Sequence, residues 1–227
     1  MKIIVVASGA GSRFGGDVPK QFLMLSGEPI LKRTLAVFDS CKIASEIAVA
    51  VPEGYADDVR AYDLPKVKYL VTGRETRAES VFSALTCFAD SRDEKEVVLI
   101  HDGVRPFVTH DLIERVASAA KKYGAAIAAS PVTDTIKMAE FGIITATPDR
   151  SALWQAQTPQ GFTYENIYDA YSKAQANGTL HTATDDSSLV ERMGIAVKIV
   201  PSTPENIKIT TPIDLKIAHA LLSDGFL

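Results

Sequence analysis

Two hydrophobic rhythms alternate along the first 130 residues. Short unbroken apolar runs, KIIVVA (2–7), EIAVAV (46–51), VKYLV (67–71), EVVLIH (96–101) and AAIAAS (125–130), are separated by longer stretches whose apolar positions recur every three or four residues. Strands covered on both faces read as continuous apolar runs, so these five predict a parallel sheet buried between layers. PILKRTLAVFDSC (29–41) predicts a helix with Leu31, Leu35 and Phe38 on one face and Pro29 at its first position. TRAESVFSALTCFA (76–89) and HDLIERVASAAKKYG (110–124) predict two more helices, the second ending at Gly124 as a C-cap. Strands alternating with helices imply right-handed crossovers. The expected class is α/β, a three-layer sandwich on a mostly parallel Rossmann-like sheet.

After Ser130 the rhythm changes. PVTDTIKMAEFGIITATPDR (131–150) is rich in Thr and β-branched residues and has no helical period. AEFGI (139–143) reads as a hairpin tip, and residues 132–152 as a β-arm protruding from the sheet. A two-stranded ribbon is marginal alone, so the arm is expected to pack on a second copy of the chain. Helices follow near 166–176 and 184–193, then a strand near 196–200 and a last helix after Pro212. With no repeat, low-complexity segment or linker, residues 1–227 read as one domain carrying the arm.

The net charge of −4 argues against a nucleic-acid binder, which is usually basic. A local cluster of Arg and Lys can still reverse the field in one cleft and hold a small anion. Cys41 and Cys87 lie far apart and make no metal-binding spacing, so two reduced thiols in the cytoplasm are expected. The apolar run at the N-terminus is too short for a signal peptide's core or a membrane span.

The glycine-rich stretch VVASGAGSRFGGDVPKQFL (5–23) admits four readings. An ATP P-loop fails, because Asp17 and Val18 stand where Lys and Ser/Thr are needed after Gly16. A dinucleotide fingerprint fits Gly9 and Gly11 but meets Phe14 at the third glycine and lacks the later acid. A plain surface turn suits the glycines alone. A triphosphate cradle suits them together with Arg13 and Lys20. Backbone N–H groups can approach phosphate oxygens there, at the strand end where ligands collect in open α/β sheets.

At this point the sequence resembles a known family. The loop is similar to the signature of nucleotidyltransferases that activate sugar and polyol phosphates. HDGVRPF (101–107), PVTDTIK (131–137), DRSALWQAQTPQGF (149–162), TDDSSLVE (184–191) and NIKITTPIDL (206–215) resemble one branch, the 2-C-methyl-D-erythritol 4-phosphate cytidylyltransferases. The resemblance implies attack of the methylerythritol phosphate on the α-phosphorus of CTP, with Mg²⁺ and release of pyrophosphate. It implies that Arg13 and Lys20 stabilise the transition state and that Ala7, Ser8, Gly9, Ala10 and Gly11 cradle the triphosphate. Gly73, Arg77 and Ser80 would line the cytidine site, with Asp102 near the ribose and the metal. Arg105, Thr135, Arg150, Thr184 and Lys208 would hold the acceptor. Arg150 and Lys208 would place its phosphate for attack, and Thr135 and Arg150 would reach a partner's site across a homodimer. Ser8, Phe14 and the Gly103–Val104 pair depart from the usual residues, and TGRETRAES (72–80) runs one residue longer than in some relatives.

The residues suit that chemistry without the name. A phosphate monoester is already an anion near neutral pH and needs no general base. The obstacle is bringing anions together, which cations and positioning overcome. Taken singly, the same residues have plainer readings. Asp102 could cap the segment after its strand, and Arg105 and Arg150 could be solvated. Lys208 could be an edge-strand lysine, and Asp185–Asp186 a helix N-cap. His101 reads as a hydrogen-bonded core histidine. Ribitol 5-phosphate cytidylyl transfer and a catalytically silent nucleotide-binding module are the alternative functions.

Overall fold

The computed structural model describes residues 1–9, 14, 18–89, 93–223 and 225. The elements run β1 (Lys2–Val6), β2 (Met24–Leu25), β3 (Glu28–Pro29), α1 (Ile30–Ser40), β4 (Glu46–Val51), α2 (Ala56–Arg60), β5 (Val67–Thr72), α3 (Arg77–Thr86) and β6 (Val97–Asp102). They continue with α4 (His110–Tyr123), β7 (Ala125–Pro131), β8 (Met138–Glu140), β9 (Ile143–Ala146), β10 (Trp154–Thr163), α5 (Tyr164–Ala176), α6 (Asp186–Glu191), β11 (Lys198–Pro201) and α7 (Pro212–Ser223). Seven strands form one sheet in the order β11-β7-β10-β6-β1-β4-β5.

The unbroken apolar runs have the predicted cause. In β1, Ile3 and Val5 pack into a core with Leu35 and Phe38 of α1 and Ile113 of α4, while Ile4 and Val6 pack with Val81 of α3 and Ile167 of α5. Successive side chains of a strand point to opposite faces, so a strand between two helical layers must be apolar at every position. The helices are stopped as their sequences dictate. Thr109 caps α4 by accepting from the N–H of Leu112, and Gly124 closes it with φ at 85°, a left-handed conformation that costs glycine little. Thr76 and Glu79 form a reciprocal capping box at the start of α3, which fixes where Arg77 leaves the helix.

Three features depart from the expected layout. Pro29 stands before α1 as its cap residue and ends β3, rather than opening the helix. The short hairpin β2–β3 and the five-residue α2 have no counterpart in the periodicity. The largest departure is β10, which runs antiparallel between β6 and β7. Its register shifts between Ala156 and Gln160, carrying Gln157 and Thr158 out of the ladder. Beyond the sheet, β8 and β9 make a separate hairpin. Its tip places Phe141 (φ 51°) and Gly142 (φ 81°) in the left-handed region, the pairing that two-residue hairpin turns require. Met138, Phe141, Ile143 and Ile144 on this hairpin are exposed.

β1 lies between β4 and β6, parallel to both, with Val6 opposite Ala50 and Asp102. After β1 the chain adds β4 and β5 on one side, then returns to place β6 on the other. The strand ends therefore diverge between β1 and β6, where such sheets open a crevice. No helix among the described residues is long and apolar enough to cross a membrane.

Candidate active site

The crevice is built by short contacts between loops. The N–H of Gly103 donates to the carbonyl of Val6 at 2.8 Å, and that of Ala7 to Ala50 at 2.8 Å. Gly73 donates to Val51 at 2.7 Å and lies so close to Ser8 that a Cβ there would stand 2.1 Å from the Ser8 Cβ. Glycine at 73 is thus a requirement of backbone approach. Ser8 Oγ donates to Ser80 Oγ at 3.0 Å, so this residue's departure from the family pattern is absorbed inside the protein. Ser80 Oγ in turn accepts from the N–H of Arg74 at 2.9 Å and donates to the Thr76 carbonyl at 2.9 Å. Gly73 and Ser80 together brace Ser8, just after β1, from behind.

Gln21 is a brace that the sequence reading did not single out. It is buried, and its amide donates to the carbonyls of Ala7 and, at 3.3 Å, Gly9. Carbonyls turned toward Gln21 are turned away from any anion in the loop. Lys20, the neighbour of Gln21, lines the cleft in front together with Ala7, Ser8, Gly9, Arg77, Asp102 and Lys208. This first cleft has a volume of about 340 Å³.

At the end of β6, Asp102 gathers three cations, its near neighbour Arg105 and, from distant parts of the chain, Arg77 and Lys208. Its Oδ1 lies 3.3 Å from Arg77 Nε; its Oδ2 lies 3.2 Å from Arg105 Nε and 3.0 Å from Lys208 Nζ. Burial alone would raise the Asp102 carboxyl, but Arg77, Lys208 and Arg105 together hold it far below the usual carboxylate range. It is an anion at every working pH. Arg105 is buried and also donates to the Asn206 carbonyl at 2.8 Å. Asn206 donates to Gln157 Oε1 and to the Thr158 carbonyl, both at 2.9 Å. The bulge of β10 therefore fixes the 206–209 segment, and that segment delivers Lys208. Lys208 lies outside every strand, so its edge-strand reading does not apply.

His101 is a core histidine, as its position at a strand end suggested. Its Nε2 faces the Arg105 carbonyl at 3.1 Å and its Nδ1 faces Thr158 Oγ1 at 3.0 Å. A carbonyl can only accept, so Nε2 carries the proton and Nδ1 accepts from Thr158. Thr158 Oγ1 in turn accepts from the Asp102 N–H at 3.0 Å. Full burial lowers the imidazole to about 3 and keeps it neutral.

A second cleft of about 450 Å³ opens on the β10 and α6 side. Arg105, Gln157, Thr158, Gln160 and Thr184 line it, and it shares Arg77, Asp102 and Lys208 with the first. The described residues thus bring Lys20, Arg77, Asp102, Arg105, Thr184 and Lys208 around two adjoining hollows. Thr135 and Arg150 are exposed near the hairpin and line neither; Arg150 Nη1 donates to the Thr133 carbonyl at 2.9 Å. Ala10, Gly11 and Arg13 lie outside the described residues. Asp186 was read with Asp185 as a cap, but only Asp185 caps α6, accepting from the Ser188 N–H. Asp186 turns inward to Arg77, with 2.9 Å contacts to both terminal nitrogens.

Among the described residues no three His, Cys, Asp or Glu side chains cluster as a metal cage. Mg²⁺ is commonly held by one or two carboxylates with water and substrate phosphates. A carboxylate offers about four lone-pair sites, and the three cations leave room on Oδ1 of Asp102. The donor set fits an ion carried mainly by a triphosphate.

The family profile for 2-C-methyl-D-erythritol 4-phosphate cytidylyltransferase matches residues 1–224. A protein of that name from Geobacter metallireducens is 42% identical, with 97% of each chain covered. One from Geotalea uraniireducens is 45% identical, covering 96% of this chain and 95% of that protein. The crystal structure of 4-diphosphocytidyl-2C-methyl-D-erythritol synthase from Anaerococcus prevotii superposes with a TM-score of 0.83 at 32% identity, covering 98% of this chain and 95% of that one. These likenesses favour the methylerythritol phosphate branch over the ribitol phosphate alternative and over a silent binding module. Sharing both sequence and sheet over nearly its whole length, the chain belongs to the 2-C-methyl-D-erythritol 4-phosphate cytidylyltransferase family.

Proposed function

We propose that the two clefts divide the substrates of this cytidylyltransferase, with CTP in the first and 2-C-methyl-D-erythritol 4-phosphate in the second. The observation that supports this is the shared wall: Arg77, Asp102 and Lys208 border both hollows, so phosphates entering from either side meet there. An oxygen of the acceptor phosphate attacks the α-phosphorus of CTP. The bond from that phosphorus to the bridging oxygen breaks, and pyrophosphate leaves with the electron pair. The product is 4-diphosphocytidyl-2-C-methyl-D-erythritol. No proton need be removed, since the monoester is ionised near neutral pH.

The protein's task is electrostatic and geometric. Two unit charges ~4 Å apart at an effective dielectric near 20 repel by about 4 kcal/mol. Lys20 serves the triphosphate side, and Arg13 is assigned the same role. Lys208 and Arg105 serve the acceptor side, and Thr184 donates to the acceptor. Asp102 would hold a Mg²⁺ ion, directly or through water, and such an ion would supply further neutralisation of the phosphate charge. Thr184→Ala is expected to raise KM for the methylerythritol phosphate about tenfold with KM for CTP within about twofold, the loss of one hydrogen bond to a charged group. Steady-state pyrophosphate release with each substrate varied in turn measures both. A rise confined to CTP would reverse the assignment of the clefts.

Thr135 and Arg150 belong, in this reading, to the site of a second copy reached by the β8–β9 arm in a homodimer. The exposed Met138, Phe141, Ile143 and Ile144 support it, because an apolar ribbon this open gains by being covered. In purified heterodimers pairing a Lys20→Ala chain with an Arg150→Ala chain, one site then keeps both side chains. Such dimers are expected to recover about half the wild-type rate, against near-zero rates for each parent. No recovery would place both residues in one chain's site. The thiols of Cys41 and Cys87 are unbridged, which supports a cytoplasmic location.

A further inference from the structure

The site leaves one buried acid without a task. Asp186 opens α6, is fully buried, and lines neither cleft. A buried carboxylate is costly unless its charge is met. Here it is met on two sides. Arg77 presents Nη1 to Oδ1 and Nη2 to Oδ2, each at 2.9 Å, in a parallel fork. The hydroxyl of Tyr171, itself fully buried on α5, donates to Oδ1 at 2.5 Å. Burial and then Asp186 raise the Tyr171 phenol well above its ordinary range, so it stays a donor.

Arg77 is the link from this buried pair to the chemistry. Its side chain remains 30% exposed and borders both clefts, and its Nε reaches Asp102 Oδ1 at 3.3 Å. Arginine carries substantial rotamer entropy. A two-pronged carboxylate grip removes that freedom before substrate arrives. We propose that Asp186, backed by Tyr171, is a positioning residue for cytidylyl transfer, holding the Arg77 guanidinium against Asp102 where the two clefts meet. Asp102 then keeps Oδ2 for Lys208 and Arg105, and a fixed cation faces the reacting phosphates. Released from Asp186, Arg77 would swing, loosening the arrangement in the transition state more than in the nucleotide complex.

The inference rests on the assignment of the reaction to the junction of the clefts, and the test separates the two. Steady-state kinetics are measured on Asp186→Asn, Arg77→Gln, the double variant, Tyr171→Phe and Lys208→Ala, with near-ultraviolet circular dichroism to verify folding. Asp186→Asn is expected to lower kcat by about 10- to 100-fold with KM for CTP within about threefold, the scale of a misplaced catalytic group. In the Arg77→Gln background the same change is expected to cost no further kcat, because its effect passes through Arg77. Tyr171→Phe, which keeps the ring, is expected to lower kcat about threefold, the worth of one hydrogen bond. An unchanged kcat in Asp186→Asn, or an equal loss with and without Arg77, overturns the inference. Should Asp186→Asn not fold, an unchanged kcat in Tyr171→Phe overturns it instead. Full activity in Lys208→Ala would remove the site assignment itself. Loss in Lys208→Ala with normal Asp186→Asn would remove only the role of Asp186.

Discussion

Lys20→Ala is expected to lower kcat about 10³-fold while the dissociation constant for CTP rises less than about tenfold. Lys20 begins a 3-10 turn after Pro19, and the next residue, Gln21, is the buried amide that grips the loop carbonyls. The backbone at Lys20 is therefore held beside the amide that fixes the Ala7 and Gly9 carbonyls, and its side chain lines the first cleft. Under the proposed assignment the triphosphate would also be held in the ground state by backbone N–H groups and a divalent ion, so one lysine is expected to add modestly to binding. At the pentacovalent phosphorus, charge builds on the equatorial and leaving oxygens, and a cation fixed beside them gains strength. Three decades in rate correspond to about 4 kcal/mol of transition-state stabilisation. Single-turnover pyrophosphate release, set beside equilibrium CTP binding to the same variant, separates the two effects. A loss found wholly in CTP binding, with kcat intact, would make Lys20 a binding residue only.

How far the sequence could be read depended on whether a residue's partners were local. β4 matches the predicted run EIAVAV residue for residue, because after the half-buried Glu46 burial on both faces keeps Ile47 to Val51 unbroken and apolar. Gly124 and the Phe141–Gly142 turn were equally legible, each being set by backbone conformation within a few residues. β10 was not. Gln155, Gln157, Thr158 and Gln160 do not alternate, and their side chains are satisfied by Ser130, Asn206, His101 and Asp185, which no window of sequence contains. Lys20 was singled out as a cation beside a glycine-rich strand end, and it lines the first cleft. The grouping of Arg77 and Lys208 on Asp102 was not legible, because it depends on the start of α3 and the segment before α7 meeting the end of β6, whereas Arg105 is only three residues away. Asp186 left one signal. It precedes Leu189 and Val190 by three and four residues, so it shares their buried face, whereas a cap residue needs no such face. Two acids in succession where one cap suffices marked the second for another purpose.

Asp102→Asn is expected to damage both the reaction and the fold, and its pH profile distinguishes the reasons. The substitution keeps the shape but removes the anion shared by Arg77, Arg105 and Lys208. Arg105 is then a buried cation with the Asn206 carbonyl as its remaining strong acceptor. Removing one member of a buried ion pair typically costs about 3–5 kcal/mol, and kcat is expected to fall at least about 10²-fold, as Lys208 loses its anchor. Acid sensitivity follows from two groups with separate windows. His101 is held neutral, at about 3 in the folded protein against 6.5 when unfolded. The unfolded chain binds that proton first, so stability falls as pH drops from about 6.5 toward 3. The Asp102 carboxyl is also lowered on folding from its ordinary value of 3.8, so its contribution is present above that value and disappears as pH falls further. Urea unfolding of wild type is therefore expected to weaken first with the slope of one proton, about 1.4 kcal/mol per pH unit, and to steepen below about pH 4. In Asp102→Asn the upper limb should persist from a lower starting stability, and the lower limb should lose one proton of steepness. Equal stability of the two proteins at pH 7 would show that the three cations are held by something other than this carboxylate. An unchanged lower limb would show that Asp102 enters the folded state already protonated, which three cations within 3.3 Å forbid.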